Sequence, residues 1–188
     1  MNILGLSGAI RQGNHDGAAV LVQDGKIVAA AEEERFVGVK HAPGLLPEMS
    51  IRFCLEKVAL AIKDIDLVVF PGKTYENINT ILNNYFKFKF GYLPHIVTID
   101  HHFAHAASSY FMSGFDQSLI ITADLSGDSR STVLFYGENN KIQEIRSFSK
   151  PNSLGIFYAL ITQYLGFQYN NDECKVMALA AGWGETLY

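Results

Sequence analysis

A short apolar strand that runs into a Ser/Gly turn and then a hairpin occurs twice in this 188-residue chain. That recurrence restricts the fold more than any other feature. Asn2 to Ser7 reads as a buried strand ending at Ser7-Gly8, and Ala18 to Gln23 and Lys26 to Ala31 read as strands joined by the two-residue turn Asp24-Gly25. The pattern restarts at Ser118 to Ala123, which runs into the turn Asp124-Leu125-Ser126-Gly127-Asp128. Strands Ser131 to Tyr136 and Lys141 to Ser147 then flank Gly137-Glu138-Asn139-Asn140. The expected class is α/β, built from two copies of one unit.

The segments between the hairpins complete that unit. Pro47 to Ile62 carries apolar residues at Ile51, Cys54, Leu55, Val58 and Ala59, which is a helical period. Asp66 to Phe70 reads as a strand, continuously apolar after Asp66 and stopped by Pro71-Gly72, as expected of a central parallel strand covered on both faces. A helix from about Tyr75 to Phe88 and a strand from His95 to Asp100 follow. The first copy, residues 1–115, is therefore complete. The second, residues 116–188, is truncated after a helix from Leu154 to Leu165 and the stretch Asn170 to Ala180. A fragment, or one part of a longer or split protein, is the expectation, with a missing carboxyl-terminal half or domain as partner. Open strand edges also leave room for self-association.

Asp100-His101-His102-Phe103-Ala104-His105-Ala106 stands where the last strand of the first copy ends, the place where open α/β sheets put their ligands. On a helix, residues four apart lie nearly above one another, so the imidazoles of His101 and His105 can converge on one point. Imidazole suits Zn, Fe, Cu or Ni rather than Ca or Mg. A capped, solvated helix start without metal accounts for the same spacing, and both readings stand at this point. His102 is rotated about a quarter turn away, which places it on the surface or behind the pair.

Composition excludes some classes. Fifteen Lys and Arg against nineteen Asp and Glu, a net charge of -4, is no surface for a nucleic-acid backbone. No apolar run reaches membrane-spanning length, so neither nucleic acid nor membrane is an expected partner. Cys54 and Cys174, far apart and without CxxC spacing, suggest buried thiols in a reducing compartment, and hence a cytoplasmic location.

The doubled strand, Ser/Gly turn and hairpin resembles the actin, sugar-kinase and heat-shock ATPase superfamily, a ribonuclease H-like fold. That resemblance implies that the turns at Ser7 and Gly127 face a nucleotide's phosphates through backbone N–H groups.

Four stretches carry a narrower likeness: His15-Asp16-Gly17-Ala18-Ala19 followed by Ala30-Ala31-Glu32-Glu33-Glu34-Arg35-Phe36; Lys40-His41; Asp100 to Ser108; and Lys175-Val176-Met177-Ala178-Leu179-Ala180. Together they resemble the nodulation and antibiotic-type O-carbamoyltransferases, whose catalytic domain is related to the enzymes that threonylcarbamoylate tRNA. The resemblance implies a divalent transition metal, iron first and zinc second, on His101, His105 and Asp124, with a further aspartate ligand beyond this chain. It implies that His15 helps deprotonate an acceptor hydroxyl, a role suited to an imidazole that titrates near neutrality. Asp16 would orient that imidazole or contact substrate, and Lys40 and Lys175 would meet phosphate or nucleotide. Two departures stand out. Asp124-Leu125-Ser126-Gly127-Asp128 replaces an Asp-Gly-x-Gly-Glu turn, and Ala178 replaces a glycine.

The implied activity is transfer of a carbamoyl group from carbamoyl adenylate, made from carbamoyl phosphate and ATP in a separate domain, to a hydroxyl of a small molecule. On its own the chain is expected to be inactive. A sugar-kinase-like phosphotransferase and a non-catalytic fragment completed by a partner chain are the alternatives.

Overall fold

A computed structural model describes residues 1–10 and 16–182, so His15 lies outside the described residues. The chain divides into two compact units, Met1–Ala104 and His105–Tyr188.

The first unit holds a five-stranded sheet of order β3-β2-β1-β4-β5, formed by β1 (Asn2–Ser7), β2 (Ala18–Gln23), β3 (Lys26–Glu32), β4 (Leu67–Pro71) and β5 (Ile96–Ile99). The turn between β2 and β3 places Asp24 at φ 49° and Gly25 at φ 80°, the left-handed pair that a tight hairpin needs. β4 runs parallel to both β1 and β5, and parallel neighbours need crossovers. Helices α2 (Glu48–Lys57) and α3 (Ile78–Phe90) supply them, after the single turn α1 (Glu34–Val37).

Alternation along the strands then decides the two faces. Leu4, Leu6, Ala19, Leu21, Val68 and Phe70 point to one side and form the core with Ile51, Cys54 and Leu55 of α2 and Ile78, Leu82 and Phe86 of α3. On the other side Gly5, Ser7, Val20, Ala30, Val69 and Pro71 line a cavity of about 620 Å³. β4 is therefore central and parallel as expected, but only one of its faces is closely packed within this unit. Cys54 is fully buried, and burial pushes its thiol up.

Helix α2 ends sooner than its periodicity predicts. Ala59 adopts φ 54°, and Leu60 N–H donates back to the Leu55 carbonyl at 3.0 Å. That is the left-handed helix stop usually built with glycine, so alanine disguised it.

Helix α4 (His101–Ser113) spans the unit boundary. In the second unit Ala106 and Tyr110 of α4 pack on Ile120, Val133 and Phe135. These belong to a three-stranded antiparallel sheet of order β6-β7-β8: β6 (Gln117–Gly127), β7 (Arg130–Glu138) and β8 (Lys141–Ser149). The Tyr110 hydroxyl donates to the Asp116 carbonyl at 2.8 Å, and its ring leaves no room for a Cβ at Gly137. Helices α5 (Leu154–Tyr164) and α6 (Glu173–Gly182) follow.

Two expectations are corrected here. β6 continues to Gly127, which pairs with Arg130, so the tight turn is Asp128-Ser129, at φ 48° and 66°, rather than Asp124 to Asp128. Neither turn residue is glycine, which is why the sequence pointed to Ser126-Gly127 instead. Cys174 is exposed rather than buried, because the inward side of α6 is taken by Val176. Among the described residues no helix is long and apolar enough to cross a membrane.

Candidate functional site

At the end of β1 the Ser7 hydroxyl donates to the Asp16 carbonyl at 2.8 Å. Asp16 in turn meets His41: its carboxylate lies 2.8 Å from His41 Nδ1, and its N–H donates to the His41 carbonyl at 2.7 Å. The His41 N–H donates to the Glu34 carboxylate, also at 2.7 Å. Ser7, Asp16, Gly17, Glu32, Glu34 and His41 enclose a small polar cavity of about 240 Å³. Ser7 and Glu32 line the larger apolar cavity as well, so the polar pocket opens beside an apolar one. A hydroxylated ligand with an apolar body suits that pairing. Sequence reasoning placed Ser7 and Asp16 here but gave His41 no role, since a contact between residues 25 apart leaves no local pattern.

The charged run Glu32 to Arg35 is not uniform. Glu33 is buried, and its carboxylate accepts from Met49 N–H, Ser50 N–H and Ser50 Oγ at 3.0, 2.8 and 2.7 Å. It caps the first turn of α2 from another part of the chain. Glu32 and Glu34 instead pair with the exposed Arg35. Lys40 is exposed in the turn before His41.

Helix α4 begins as its sequence requires. The Asp100 carboxylate accepts from Phe103 N–H at 2.9 Å, capping the first turn. His101 and His105 then stand one turn apart on the same helix. His102 is fully buried, which excludes the surface, one of the two places expected for it: His102, Ala106 and Tyr110 form the inward stripe of α4.

Asp124 lies on β6, and its Oδ2 is 3.5 Å from His105 Nε2. That is long for a hydrogen bond. It matches the separation of about 3.4 Å expected between two ligands each about 2.1 Å from a tetrahedral ion. The other Asp124 oxygen accepts from Leu125 N–H at 2.7 Å, which fixes the carboxylate plane. Ser153 adds a second brace: its hydroxyl donates to the Asp124 carbonyl at 3.0 Å and accepts from Ile156 N–H at the start of α5. Gly155 lets α5 come this close, because a Cβ there would stand 2.8 Å from the Leu125 backbone. Within the second unit His105 and Asp124 thus offer an imidazole nitrogen and a carboxylate, donors suited to iron or zinc, and His101 precedes His105 by one turn of α4. Ser153 and Gly155 were missed, although a Ser before an apolar helical run is a legible cap signal.

Gly127 is buried at the end of β6. Lys175, on α6, is tied to its own helix: Nζ lies 2.8 Å from Asp172 Oδ1. Asp172 also accepts from Gln168 N–H. The Lys175 ammonium first, and that N–H second, hold the Asp172 carboxyl below the usual carboxylate range, while the carboxylate pushes the ammonium up.

The family model for the carbamoyltransferase N-terminus matches residues 2–97 and 86–186, nearly the whole chain. The chain belongs to the carbamoyltransferase N-terminal family. Within that family's range, nodulation protein NolNO of Sinorhizobium fredii is 36% identical over 188 residues, covering 88% of this chain and 27% of the relative. A Synechocystis protein without an assigned role is 32% identical over 223 residues, covering 100% of this chain and 35% of the relative. The chain thus spans about a third or less of the length of these relatives. Among solved structures, the activator of 2-hydroxyisocaproyl-CoA dehydratase from Clostridium difficile with bound ADPNP superposes with TM-score 0.48 at 16% identity, over 90% of this chain and 54% of that one.

Proposed function

We propose that this chain supplies the transfer site of an O-carbamoyltransferase that moves a carbamoyl group from carbamoyl adenylate, made from carbamoyl phosphate and ATP, to a hydroxyl of a small molecule. The match of the carbamoyltransferase N-terminal family along nearly the whole chain carries this reading. In the transfer, the acceptor oxygen attacks the carbamoyl carbon, the bond from that carbon to the phosphate oxygen breaks, AMP leaves, and the hydroxyl proton passes to a base. His15 is that base in this account, by its match to the family's His-Asp-x-Ala-Ala stretch. The polar pocket at Ser7 and Asp16, opening beside the apolar cavity, is the place for the acceptor.

His101, His105 and Asp124 would hold a divalent transition ion, iron first and zinc second, which when bound would supply Lewis-acid stabilisation of developing negative charge. Lys40, exposed and mobile in charge placement through its long stem, is suited to a phosphate, as is the backbone at Gly127. Lys175 would reach a nucleotide only by leaving Asp172 or by bringing it along. The free thiols Cys54 and Cys174 support a cytoplasmic setting.

The two half-reactions separate the roles. In a polypeptide of the relatives' full length, His15→Asn should leave carbamoyl adenylate formation intact and slow transfer roughly 10²–10⁴-fold, the usual size of a general-base contribution. Unimpaired transfer at neutral pH removes His15 from the mechanism.

A further inference from the structure

β1 and β4 lie side by side and parallel in the first unit, so both end on the same edge of the sheet. Their continuations part there. The chain leaving β1 returns as β2 on one side, whereas the chain leaving β4 crosses through α3 to β5 on the other. Where neighbouring strands of an α/β sheet hand on their chains in opposite directions, a crevice opens outside their carboxyl ends, and ligands settle in it.

Glycine turns form the lips of this crevice. After β1 comes Gly8, where a Cβ would stand 3.1 Å from the Leu45 carbonyl oxygen. After β4 comes Gly72, at φ 121°, where a Cβ would stand 2.5 Å from the Tyr75 ring. The Gly72 N–H donates to the Ile99 carbonyl at 2.9 Å, and Tyr75 packs against the core, so the turn between them is held at both ends. Lys73 sits in that turn and is exposed.

Charge divides the space around Ser7. On the β2 side, three carboxylates, those of Asp16, Glu32 and Glu34, line the cavity of about 240 Å³, and Arg35 pairs with the last two. Such a place suits a hydroxyl and repels an anion. On the β4 side, Ser7 and Pro71 share the wall of the apolar cavity, and Lys73 follows two residues beyond Pro71. An ammonium on a flexible four-carbon stem is a point charge suited to phosphate.

We infer that Lys73 binds the phosphate of the carbamoyl adenylate at the carboxyl ends of β1 and β4, leaving the acidic pocket on the other side of Ser7 to the acceptor hydroxyl. This inference rests on the carbamoyl-transfer reading and gives each substrate its side of Ser7. The adenylate phosphate carries one negative charge. When its bond to the carbamoyl carbon breaks, the phosphate oxygen keeps the electron pair and AMP leaves with a second charge, while the acceptor proton goes to the base. The Lys73 ammonium therefore holds the donor and stabilises the charge that develops on the leaving group.

The test uses a polypeptide of the relatives' full length, given preformed carbamoyl adenylate and a hydroxyl acceptor. Lys73→Met and Lys73→Glu are compared with wild type and with Lys63→Met, which removes the same charge from the short turn ahead of β4. Lys73→Met should lower kcat/KM for the adenylate by about 10- to 100-fold, the size of a lost hydrogen bond to a charged group, with acceptor KM changed less than about threefold. Lys73→Glu should lower it further, and Lys63→Met should leave it within about twofold. Inhibition of transfer by AMP should weaken in Lys73→Met by about tenfold or more, while inhibition by adenosine, which has no phosphate, stays the same. A Lys73→Met that keeps kcat/KM and AMP inhibition within about threefold of wild type overturns the inference, as does an equal loss in Lys63→Met. Those results leave the functional reading standing, whereas a wild type that transfers no carbamoyl group overturns the reading and this inference with it.

Discussion

Nε2 of His105 stands 3.5 Å from Oδ2 of Asp124, and the other Asp124 oxygen is already held by the Leu125 N–H. The carboxylate therefore turns Oδ2 toward the imidazole in a plane set by Leu125, a spacing suited to two ligands of one ion. With His101 one turn earlier on α4, His101→Ala, His105→Ala and Asp124→Asn should each lower bound iron or zinc by at least about tenfold. His102→Ala should keep the metal and lower Tm instead, because His102 is on the buried stripe of α4. Elemental analysis of the four purified variants checks this, and equal metal in all of them rejects the assignment.

Gly155 is where α5 touches the backbone of β6 at Asp124 and Leu125. Gly155→Ala puts a methyl 2.8 Å from Leu125 Cα and N, which no side-chain rotation relieves. Stability should fall by about 1–3 kcal/mol, the usual cost of overpacking. Metal affinity should fall with it, since Ser153 and Asp124 are pushed apart. Denaturant titration and metal titration on the same preparation read both effects.

Glu33 accepts three hydrogen bonds at the start of α2 while buried. Glu33→Ala leaves two helix N–H groups and a hydroxyl without their acceptor in a buried place, a loss of about 2–3 kcal/mol. Glu32→Ala, whose carboxylate pairs with the solvent-exposed Arg35, should change stability by less than about 0.5 kcal/mol. Chemical denaturation of the two variants separates a cap from a surface charge.

The Asp172–Lys175 pair makes the anchoring of α6 depend on pH. Asp172 titrates below the usual range in the folded chain, so its contribution is present above the unfolded value of about 3.9 and disappears as pH falls through the lowered folded value. Lys175 is raised, so its contribution is present below about 10.4 and disappears as pH rises through the raised value. Amide exchange within α6 should therefore be slow and flat near neutral pH, after correction for intrinsic rates, and quicken at both extremes. Asp172→Asn should remove both limbs together.

Much of this was legible locally. The β2–β3 hairpin announces itself through Asp24-Gly25, and the His101–His105 pair through spacing alone, because a hairpin turn and a helical face are short-range geometry. Left-handed positions filled by other residues were silent: Ala59 ends α2 and Asp128-Ser129 turns β6 into β7, each doing what the sequence led one to expect of a glycine. Burial of single charged or polar residues was silent as well. Nothing in Glu32-Glu33-Glu34-Arg35 distinguishes the buried Glu33 from its exposed neighbour Glu32, and nothing in His101-His102 tells which ring α4 turns inward. Such outcomes depend on partners far along the chain, as does the meeting of Asp16 with His41.

The central claim is transfer of a carbamoyl group to a hydroxyl. A polypeptide of the relatives' full length, given carbamoyl adenylate labelled at the carbamoyl carbon together with a panel of small hydroxylated acceptors, tests it directly. The account predicts label on an acceptor oxygen with one AMP released for each group transferred. Hydrolysis of the adenylate with no labelled acceptor, or an acceptor that gains phosphate from ATP instead of the labelled carbon, would contradict it.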